Sequence, residues 1–371
     1  MELIYQLTNN IHYLSFFLII SIIVFVHEYG HYIVAKICKV KVESFSIGFG
    51  PELFGFNDKS GTRWKLSAIP LGGYVKMLGD TNEASIPDKK QELTDEEKLL
   101  SFHEKPRYKK AAIVFAGPFA NIIFTVIVLT VFFCIEGYYR IPPVIGNVIK
   151  GSVAEVAGLL PGDVITQVNN NKIRYFEDIT HIVISNPRTK MQIEYKRSNK
   201  KHVTALIPSI IEDKDAFGNL IKKESIGITS INVTGLKQTS FFGAVNLSIN
   251  ETYRTMTLAV RAMGQIVIGK RDINQISGPI KIAQYSSQSF KKGITTFLYF
   301  MAIISANLAA INLLPVPLLD GGHLFHYTIE ALTRRNLTIK YQKYAAIIGA
   351  VILFSLMAIA ILNDIRNVIL T

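Results

Sequence analysis

Long apolar runs dominate the pattern of hydrophobic and polar positions along this chain. A membrane-spanning helix needs about 20 consecutive apolar residues. The runs that meet this length are Tyr13 to Ile37, Ala111 to Ile135, Ile294 to Leu314 and Tyr344 to Leu362. A fifth stretch, Phe241 to Ile268, carries charged residues among its apolar ones, which is typical of a helix lying along the membrane surface. The pattern predicts a polytopic α-helical membrane protein with four transmembrane helices.

Composition supports this prediction. Of 371 residues, 49% are hydrophobic and the mean hydropathy is +0.28, which exceeds what an ordinary soluble enzyme shows. The net charge of +12 is not gathered on one basic helix interleaved with aromatic residues, so we expect no nucleic-acid partner. The two cysteines, Cys38 and Cys134, form no CxxC pair, so neither a disulfide framework nor a thiolate zinc site is indicated.

Positive residues predict how the chain is oriented in the membrane. No Lys or Arg precedes the first span, so it lacks the start of a cleaved signal peptide and we expect it to stay attached. Lysines and arginines are frequent between spans one and two and between spans three and four. Because short cytoplasmic loops are enriched in Lys and Arg, we expect these two loops in the cytoplasm, and both termini and the segment between spans two and three outside it.

The first span contains the stretch VFVHEYGHYIV, residues 24 to 34. Ionisable side chains at membrane depth are costly and mark functional sites. His27 and His31 are four residues apart, so on a helix they share one face and can bind one zinc ion. Glu28, next to the first histidine, can take a proton from a zinc-bound water, as in H-E-x-x-H metalloproteases. The pattern predicts an intramembrane zinc site.

A catalytic zinc needs a third protein ligand, with the fourth position kept for water. The stretch NLLPVPLLDGGHLFH, residues 312 to 326, supplies candidates. It begins near the end of the third span, at a membrane depth similar to that of His27, and its prolines break the helix there. Asp320 follows this break, and a buried carboxylate also lowers the positive charge of the site. We favour Asp320; His323 and His326 are the alternatives.

Three motifs, HEYGH in the first span, GPFAN at Gly117 to Asn121 and NLLPVPLLDG after the third span, resemble the site-2 protease family of zinc intramembrane proteases, and within it the bacterial regulators of the sigma-E response. The resemblance implies one zinc bound by His27, His31 and Asp320, with Glu28 as the catalytic acid and base. It also implies that Asn312, Pro315 and Pro317 handle the substrate. We expect Asn121 and Asn307 to be interhelical contacts.

Between the first two spans, VESFSIGFG (Val42 to Gly50) and RWKLSAIPLGGYVKML (Arg63 to Leu78) are strand-like runs joined through a turn-prone segment. They predict a β-hairpin or small sheet. The family resemblance implies that it re-enters the membrane beside the active site, where its strand edge, including Gly72 and Gly73, can bind an unwound substrate. The alternative is a cytoplasmic hairpin without substrate contact.

The segment 151 to 173, GSVAEVAGLLPGDVITQVNNNKI, shows a small-residue helix, a Pro161-Gly162-Asp163 turn and an alternating strand, Val164 to Val168. It looks like a bacterial PDZ core, and the alternative is a generic small β-rich domain. The span from Ile141 to Lys237 has room for one such domain, where the best-known proteobacterial relatives carry two. We expect it to bind peptide chain ends or extended segments.

The predicted segments are residues 1–40, the first transmembrane helix; 41–110, a cytoplasmic loop with the re-entrant hairpin; 111–137, the second transmembrane helix; 138–237, one extracytoplasmic PDZ domain; 238–293, an extracytoplasmic amphipathic linker; 294–326, the third transmembrane helix; and 327–371, the fourth with the C-terminus.

The function implied is a zinc-dependent endopeptidase of the bacterial inner membrane. Its expected substrates are transmembrane segments, such as those of anti-sigma factors or remnant signal peptides, met within membrane lipid near the cytoplasmic side. Two alternatives remain. One is a membrane-anchored quality-control metalloprotease. The other is a PDZ-bearing scaffold whose metal is structural and fully liganded, with His323 as the further ligand.

Overall fold

The computed structural model describes residues 2–79, 93–138, 141–214, 220–231, 239–335 and 337–370. The elements over these residues, in chain order, are α1 (Glu2–Ile37), β1 (Val42–Asn57), β2 (Arg63–Met77), α2 (Asp95–Leu100), α3 (Arg107–Glu136), β3 (Ile145–Val148), α4 (Val153–Val156), β4 (Val164–Val168), β5 (Asn171–Lys172), α5 (Phe176–Ser185), β6 (Met191–Arg197), β7 (Lys200–Leu206), β8 (Ser209–Lys214), β9 (Leu220–Ser225), β10 (Ile228–Ser230), α6 (Phe241–Val267), α7 (Pro279–Lys292), α8 (Ile294–Asn312), α9 (Asp320–Thr333) and α10 (Ile339–Leu370).

Among the described residues, four helices are long and apolar enough to cross a membrane. The qualifying stretches are Leu14–Ile37, Arg107–Glu136, Ile294–Asn312 and Lys340–Arg366. Their number and positions agree with the four predicted spans. The chain divides into two compact units, the first made of the described parts of Met1–Leu129, Ser248–Thr257 and Ile276–Thr371, and the second of those of Thr130–Leu247 and Leu258–Gln275.

In the first unit, α1 packs against α8 through a small apolar cluster. Ile19 and Ile23 of α1 are buried against Phe297 and Met301 of α8. Further along α8 the buried residues become small, namely Ala302, Ala306, Ala309 and Ala310. Small residues let helix backbones approach closely, which is how helices associate where lipid removes the usual hydrophobic drive.

Helix α7, within the predicted linker, also belongs to this unit. The carboxylate of Asp364, on α10, accepts hydrogen bonds from the main-chain N–H groups of Gly278 and Lys281 at 2.9 and 3.0 Å. These are orphan donors at a helix start, so α10 caps α7. On the other side of α7, Ser286 Oγ donates to Ser15 Oγ of α1 at 3.1 Å.

The strands β1 and β2 form a more elaborate sheet than a simple hairpin. The first part of β1, near Val42 to Ile47, pairs with the end of β2 on one side and with its beginning on the other. The last part of β1 also pairs with the beginning of β2, so four segments lie side by side in the order 52–57, 63–67, 42–47 and 73–77. The cause lies in the sequence: Gly48 and Gly50 have positive φ values of 89° and 88°, and such residues allow a strand to bend back.

A single carboxylate fastens this sheet to α1. Asp58, in the turn between β1 and β2, accepts hydrogen bonds from the main-chain N–H groups of Ser60 and Thr62 at 2.8 and 2.9 Å. Its other oxygen accepts from Tyr32 Oη at 2.9 Å and from Trp64 Nε1 at 3.1 Å. Because Tyr32 directly follows His31 on α1, the sheet is held beside the predicted metal ligands.

The second unit contains a four-stranded antiparallel sheet in the order β5-β4-β6-β7, together with the strand pairs β10-β3 and β8-β9. Its core is formed by inward-facing residues of the strands and of α5, among them Ile165, Ile179 and Ile193. The guanidinium of Arg197 donates from Nε and Nη2 to the two carboxylate oxygens of Asp163, each at 2.8 Å. Strand β4 spans the residues predicted for it, Val164 to Val168.

Some predicted segment boundaries fall within elements. Helix α3 begins at Arg107, before the predicted start of its segment at residue 111, and α9 continues through residue 326. The third span ends at Asn312, and the chain then leaves the helix before α9 begins at Asp320, so the predicted break is present. The predicted end of the PDZ segment at residue 237 lies outside the described residues.

The Asp58 network gives the first prediction. Asparagine at this position keeps one acceptor but cannot accept hydrogen bonds at both oxygens, so Asp58→Asn should leave Tyr32 and Trp64 without an acceptor. We expect a loss of about 1–3 kcal/mol in the stability of the unit. Trp64 is the only tryptophan of the chain, so its fluorescence reports this site directly and should shift in the variant.

The hydrogen bonds to Asp58 also make the stability of this unit depend on pH. Burial raises the pKa of Asp58, but hydrogen bonds from Ser60, Thr62, Trp64 and Tyr32 outweigh it and hold this pKa well below its usual value. The stabilisation is therefore complete above the unfolded pKa of about 3.9 and is lost only as the pH falls through the lower folded pKa. The Trp64 emission should stay constant from pH 7 to about pH 4. Asp95→Asn, at an exposed ion pair, is the control; equal emission and stability for Asp58→Asn and wild type would contradict the assignment.

Candidate metal centre

Two elements bring the predicted ligands together. His27 and His31 lie one helical turn apart on α1, as their spacing requires. The chain leaves α8 at Asn312 and turns back through residues 313–319, so that Asp320 begins α9 beside the two imidazoles. Leu318 in this turn has a φ of 74°, a conformation that is uncommon for a residue with a side chain and that marks a tightly constrained turn.

The ligand atoms converge from three side chains. His27 Nε2 lies 3.2 Å from His31 Nε2 and 3.2 Å from Asp320 Oδ2, and His31 Nε2 lies 3.5 Å from Asp320 Oδ1. Tetrahedral zinc with bonds of about 2.0–2.1 Å separates its ligand atoms by about 3.3 Å. The three distances therefore fit one face of a zinc tetrahedron.

The site is largely shielded from solvent. The side chains of His27, His31 and Asp320 are 9%, 11% and 17% exposed. Among the described residues, no other group of three His, Cys, Asp or Glu side chains converges in this way, and neither His323 nor His326 joins this one. His326 instead packs its ring 5.6 Å from that of Tyr341. Of the candidate third ligands, the structure brings Asp320 to the histidines.

The sheet contacts α1 at the predicted acid and base. A Cβ on Gly73 would lie 2.6 Å from Ser46 O, 2.8 Å from Val24 Cγ1 and 3.1 Å from Glu28 Cγ. Only glycine lets the strand lie this close to Glu28. At Gly72 the φ of 122° is one that other residues rarely adopt. Both glycines are therefore needed where the sheet meets the helix.

The predicted substrate-handling residues separate into two groups. Asn312 Nδ2 lies 3.4 Å from His27 Nε2, so this amide borders the candidate centre. Pro317 instead faces α10, since a Cβ on Gly349 would lie 2.7 Å from the carbonyl carbon of Pro317. Pro315 lies in the same turn, between α8 and α9. Asn312 is thus placed to contact a molecule bound at the centre, while Pro317 packs against α10.

Sequence reasoning missed the part played by α3. Gly117 faces both imidazoles, because a Cβ there would collide with His31 Nε2 and lie 2.9 Å from His27 Cε1. Asn121, expected to be an interhelical contact, has Nδ2 3.3 Å from His27 Nδ1. The carbonyl oxygen of Ile113 lies 2.8 Å from His31 Nδ1. The signal available in the sequence was the four-residue spacing of Ile113, Gly117 and Asn121, which places them on one helix face.

The four apolar helices and the cluster of two histidines and one aspartate fit a membrane-bound metallopeptidase, and comparison with known proteins supports this class. A model described as peptidase family M50 matches residues 15–356. The chain belongs to peptidase family M50, the site-2 protease family, and is a metalloendopeptidase.

Bacterial relatives match along nearly the whole chain. Several carry zinc metalloprotease in their names. Among these, one from Agrobacterium fabrum is 38% identical over 359 residues and covers 95% of each chain, and one from Rickettsia conorii is 37% identical over 356 residues and covers 95% of this chain and 98% of the relative. Metalloprotease MmpA of Caulobacter vibrioides is 31% identical over 379 residues, covering 95% of each chain.

Two solved structures match a part of the chain. The PDZ domain of an SdrC-like protein from Listeria monocytogenes is 22% identical and covers 25% of this chain and 93% of its own, with a TM-score of 0.20. The second domain of the Listeria protein Lin2157 is 24% identical and covers 26% and 87%, also with a TM-score of 0.20.

The contact between the sheet and Glu28 can be tested by adding one methyl group. Gly73→Ala should push the strand away from Glu28 and Val24, because the added Cβ would lie 3.1 Å or less from atoms of Ser46, Val24 and Glu28. We expect peptidase turnover to fall at least tenfold while zinc content stays unchanged, since no metal ligand moves. Gly264→Ala, where a Cβ meets nothing within 4 Å, is the matched control and should behave as wild type. Unchanged turnover in Gly73→Ala would remove the sheet from the mechanism.

Proposed function

We propose that this chain is a zinc-dependent intramembrane endopeptidase that cleaves transmembrane segments of other proteins. The observation that carries the proposal is the convergence of His27, His31 and Asp320 within 3.5 Å of one another, next to helices apolar enough to span a membrane. Two imidazoles and one carboxylate are the ligand set of many catalytic zinc sites. One zinc ion per chain accounts for all three side chains.

His27, His31 and Asp320 would hold the zinc ion, which would supply Lewis acidity for the scissile carbonyl and for a bound water. Glu28 carries out the catalytic proton transfers. Its carboxylate follows His27 directly in the chain, and it accepts the proton of the attacking water and then delivers that proton to the leaving amine. Asn312, beside His27 Nε2, is placed to donate a hydrogen bond to the substrate backbone.

The β1–β2 sheet can supply hydrogen-bond partners for the backbone of an unwound substrate. A transmembrane segment arrives as a helix whose carbonyl and N–H groups are paired with each other, so the scissile peptide must be unwound before it can be cleaved. Among the described residues, the segment 73–77 pairs only with 42–47 and so forms one outer edge of the β1–β2 sheet. Its Gly73 lies against Glu28. An unwound substrate strand can pair with this edge beside the catalytic carboxylate.

We propose that residues 138–237, which lie within the second unit, form one PDZ domain that binds peptides. Strand β3 pairs with β10 on one side, and on its other side Ile145 exchanges main-chain hydrogen bonds with Gly162 and Asp163. Among the described residues, no strand pairs with the other edge of β10. Strand addition at such an edge is how PDZ domains bind chain ends.

For the topology we propose the bacterial inner membrane, with the termini and the PDZ domain outside the cytoplasm and the active site near the cytoplasmic face. The support is the distribution of Lys and Arg in the short loops and the bacterial origin of the relatives. Anti-sigma factors and remnant signal peptides are the substrate classes that the family resemblance suggests, met within membrane lipid.

The two alternatives make different demands on the site. A structural metal requires a closed four-ligand site, whereas the described residues supply three ligands and His323 is not among them. A quality-control protease acting on unfolded soluble proteins has no need of a sheet edge beside the metal. The cluster of three rather than four protein ligands, and the contact of Gly73 with Glu28, favour intramembrane proteolysis.

The direct test is Glu28→Gln in the purified full-length protein. The glutamine keeps the size of the side chain but cannot accept the proton, so we expect stoichiometric zinc and a loss of cleavage of at least a thousandfold. Metal analysis and cleavage of a reconstituted transmembrane substrate measure both. Retained cleavage would defeat the role of Glu28, and cleavage of an unfolded soluble protein in preference to the membrane substrate would favour the quality-control alternative.

The peptide-binding edge has its own test. A library of decapeptides with free or amidated C-termini is titrated onto the full-length protein, and hydrogen exchange is followed at β10. We expect binding of peptides with a free carboxylate and slower exchange of the amides from Ile228 to Ser230. Protection confined to other strands would contradict the assignment of this edge.

A further inference from the structure

Each histidine of the centre has one ring nitrogen that does not face the other ligands. The Nε2 atoms meet Asp320 and each other, so metal binding uses Nε2 and the Nδ1 atoms face the protein. A neutral imidazole that binds a metal through Nε2 carries its hydrogen on Nδ1, and this hydrogen needs an acceptor.

For His31 the acceptor is unambiguous. Its Nδ1 lies 2.8 Å from the main-chain carbonyl oxygen of Ile113 on α3. A carbonyl oxygen only accepts, so Nδ1 must donate, and Nε2 is left with its lone pair. The backbone of α3 therefore fixes the tautomer and the ring orientation that His31 needs as a ligand.

For His27 the neighbouring group is the amide of Asn121. With Nδ2 placed 3.3 Å from His27 Nδ1, the amide oxygen is buried and has no hydrogen-bond partner among the described residues, which costs about 1–3 kcal/mol. That orientation also requires the histidine hydrogen to sit on Nε2, where metal binding is impossible. A half-turn of the amide exchanges its two nearly isosteric ends and brings the oxygen to Nδ1 as an acceptor.

Other residues on this face of α3 also contact or make room for the two imidazoles. Asn121 is fully buried, and its main-chain oxygen accepts a hydrogen bond from Ser305 Oγ of α8 at 3.1 Å, which holds this part of α3 in place. Gly117, midway between Ile113 and Asn121 on the same face, leaves the space that the two imidazoles occupy.

We propose that Asn121 is a positioning residue for the metal centre: its side-chain oxygen accepts the Nδ1 hydrogen of His27 and so holds the imidazole in the tautomer that binds zinc. With Ile113, it makes α3 the outer support of both histidines. This inference rests on the proposed function, because it assumes that His27, His31 and Asp320 bind zinc.

The test compares variants that keep or remove the acceptor. Removing such an outer partner weakens metal binding by about 10–100-fold. Asn121→Leu has a similar size and no acceptor, so its zinc dissociation constant, measured by chelator competition on the full-length protein, should rise by about 10–100-fold. Asn121→Asp keeps an acceptor and should bind zinc within about threefold of wild type. Asn307→Leu, the same change on α8, is the matched control and should not alter affinity.

A second readout does not depend on how the variants fold. In wild-type protein with zinc bound and its histidines labelled with nitrogen-15, we expect His27 to show a protonated Nδ1 hydrogen-bonded to an acceptor. An unprotonated Nδ1, or an Asn121→Leu protein that is folded and binds zinc as tightly as wild type, would overturn the inference. Wild-type protein that binds no zinc would instead overturn the proposed function, and the two failures are thereby distinguished.

Discussion

The structure depends on the meeting of two imidazoles and one carboxylate beside helices that otherwise present apolar side chains. Polar and ionisable groups at membrane depth are costly unless they are compensated. His27, His31 and Asp320 come from α1 and from the start of α9, yet their ligand atoms lie 3.2 to 3.5 Å apart. We propose that a single divalent cation compensates all three at once, with ligands from two distant parts of the chain.

The surrounding elements hold α1 and the start of α9 in this arrangement. Helix α3 reaches the histidines because Gly117 has no side chain there, and buried alanines on α8 let the helices of this unit pack closely. On the other side, the Asp58 network fastens the sheet to α1 at Tyr32, and Gly73 brings the strand edge to Glu28. His27, His31, Glu28 and the contacts of the sheet at Tyr32 and Gly73 thus all involve α1.

The sequence alone predicted the four spans, the two histidines with Glu28 between them, and the break before Asp320, because each leaves a strong local signal: apolar length, four-residue spacing and paired prolines. It did not predict that β1 and β2 fold back to give four strand segments, since the bends at Gly48 and Gly50 depend on pairing between distant residues. The expected interhelical contact of Asn121 is present, but the sequence did not predict that its partner would be His27. Family resemblance supplied the roles of Asn312 and the prolines, and the structure distinguishes them, with Asn312 at the centre and Pro317 against α10.

The central claim is that one metal ion joins α1 to the start of α9. X-ray absorption spectroscopy at the zinc edge, on the full-length protein in lipid, measures this directly. We expect one zinc per chain with two imidazole nitrogens and oxygen ligands at about 2.0–2.2 Å, and no sulfur. A spectrum with sulfur ligands or without imidazole scattering would contradict it.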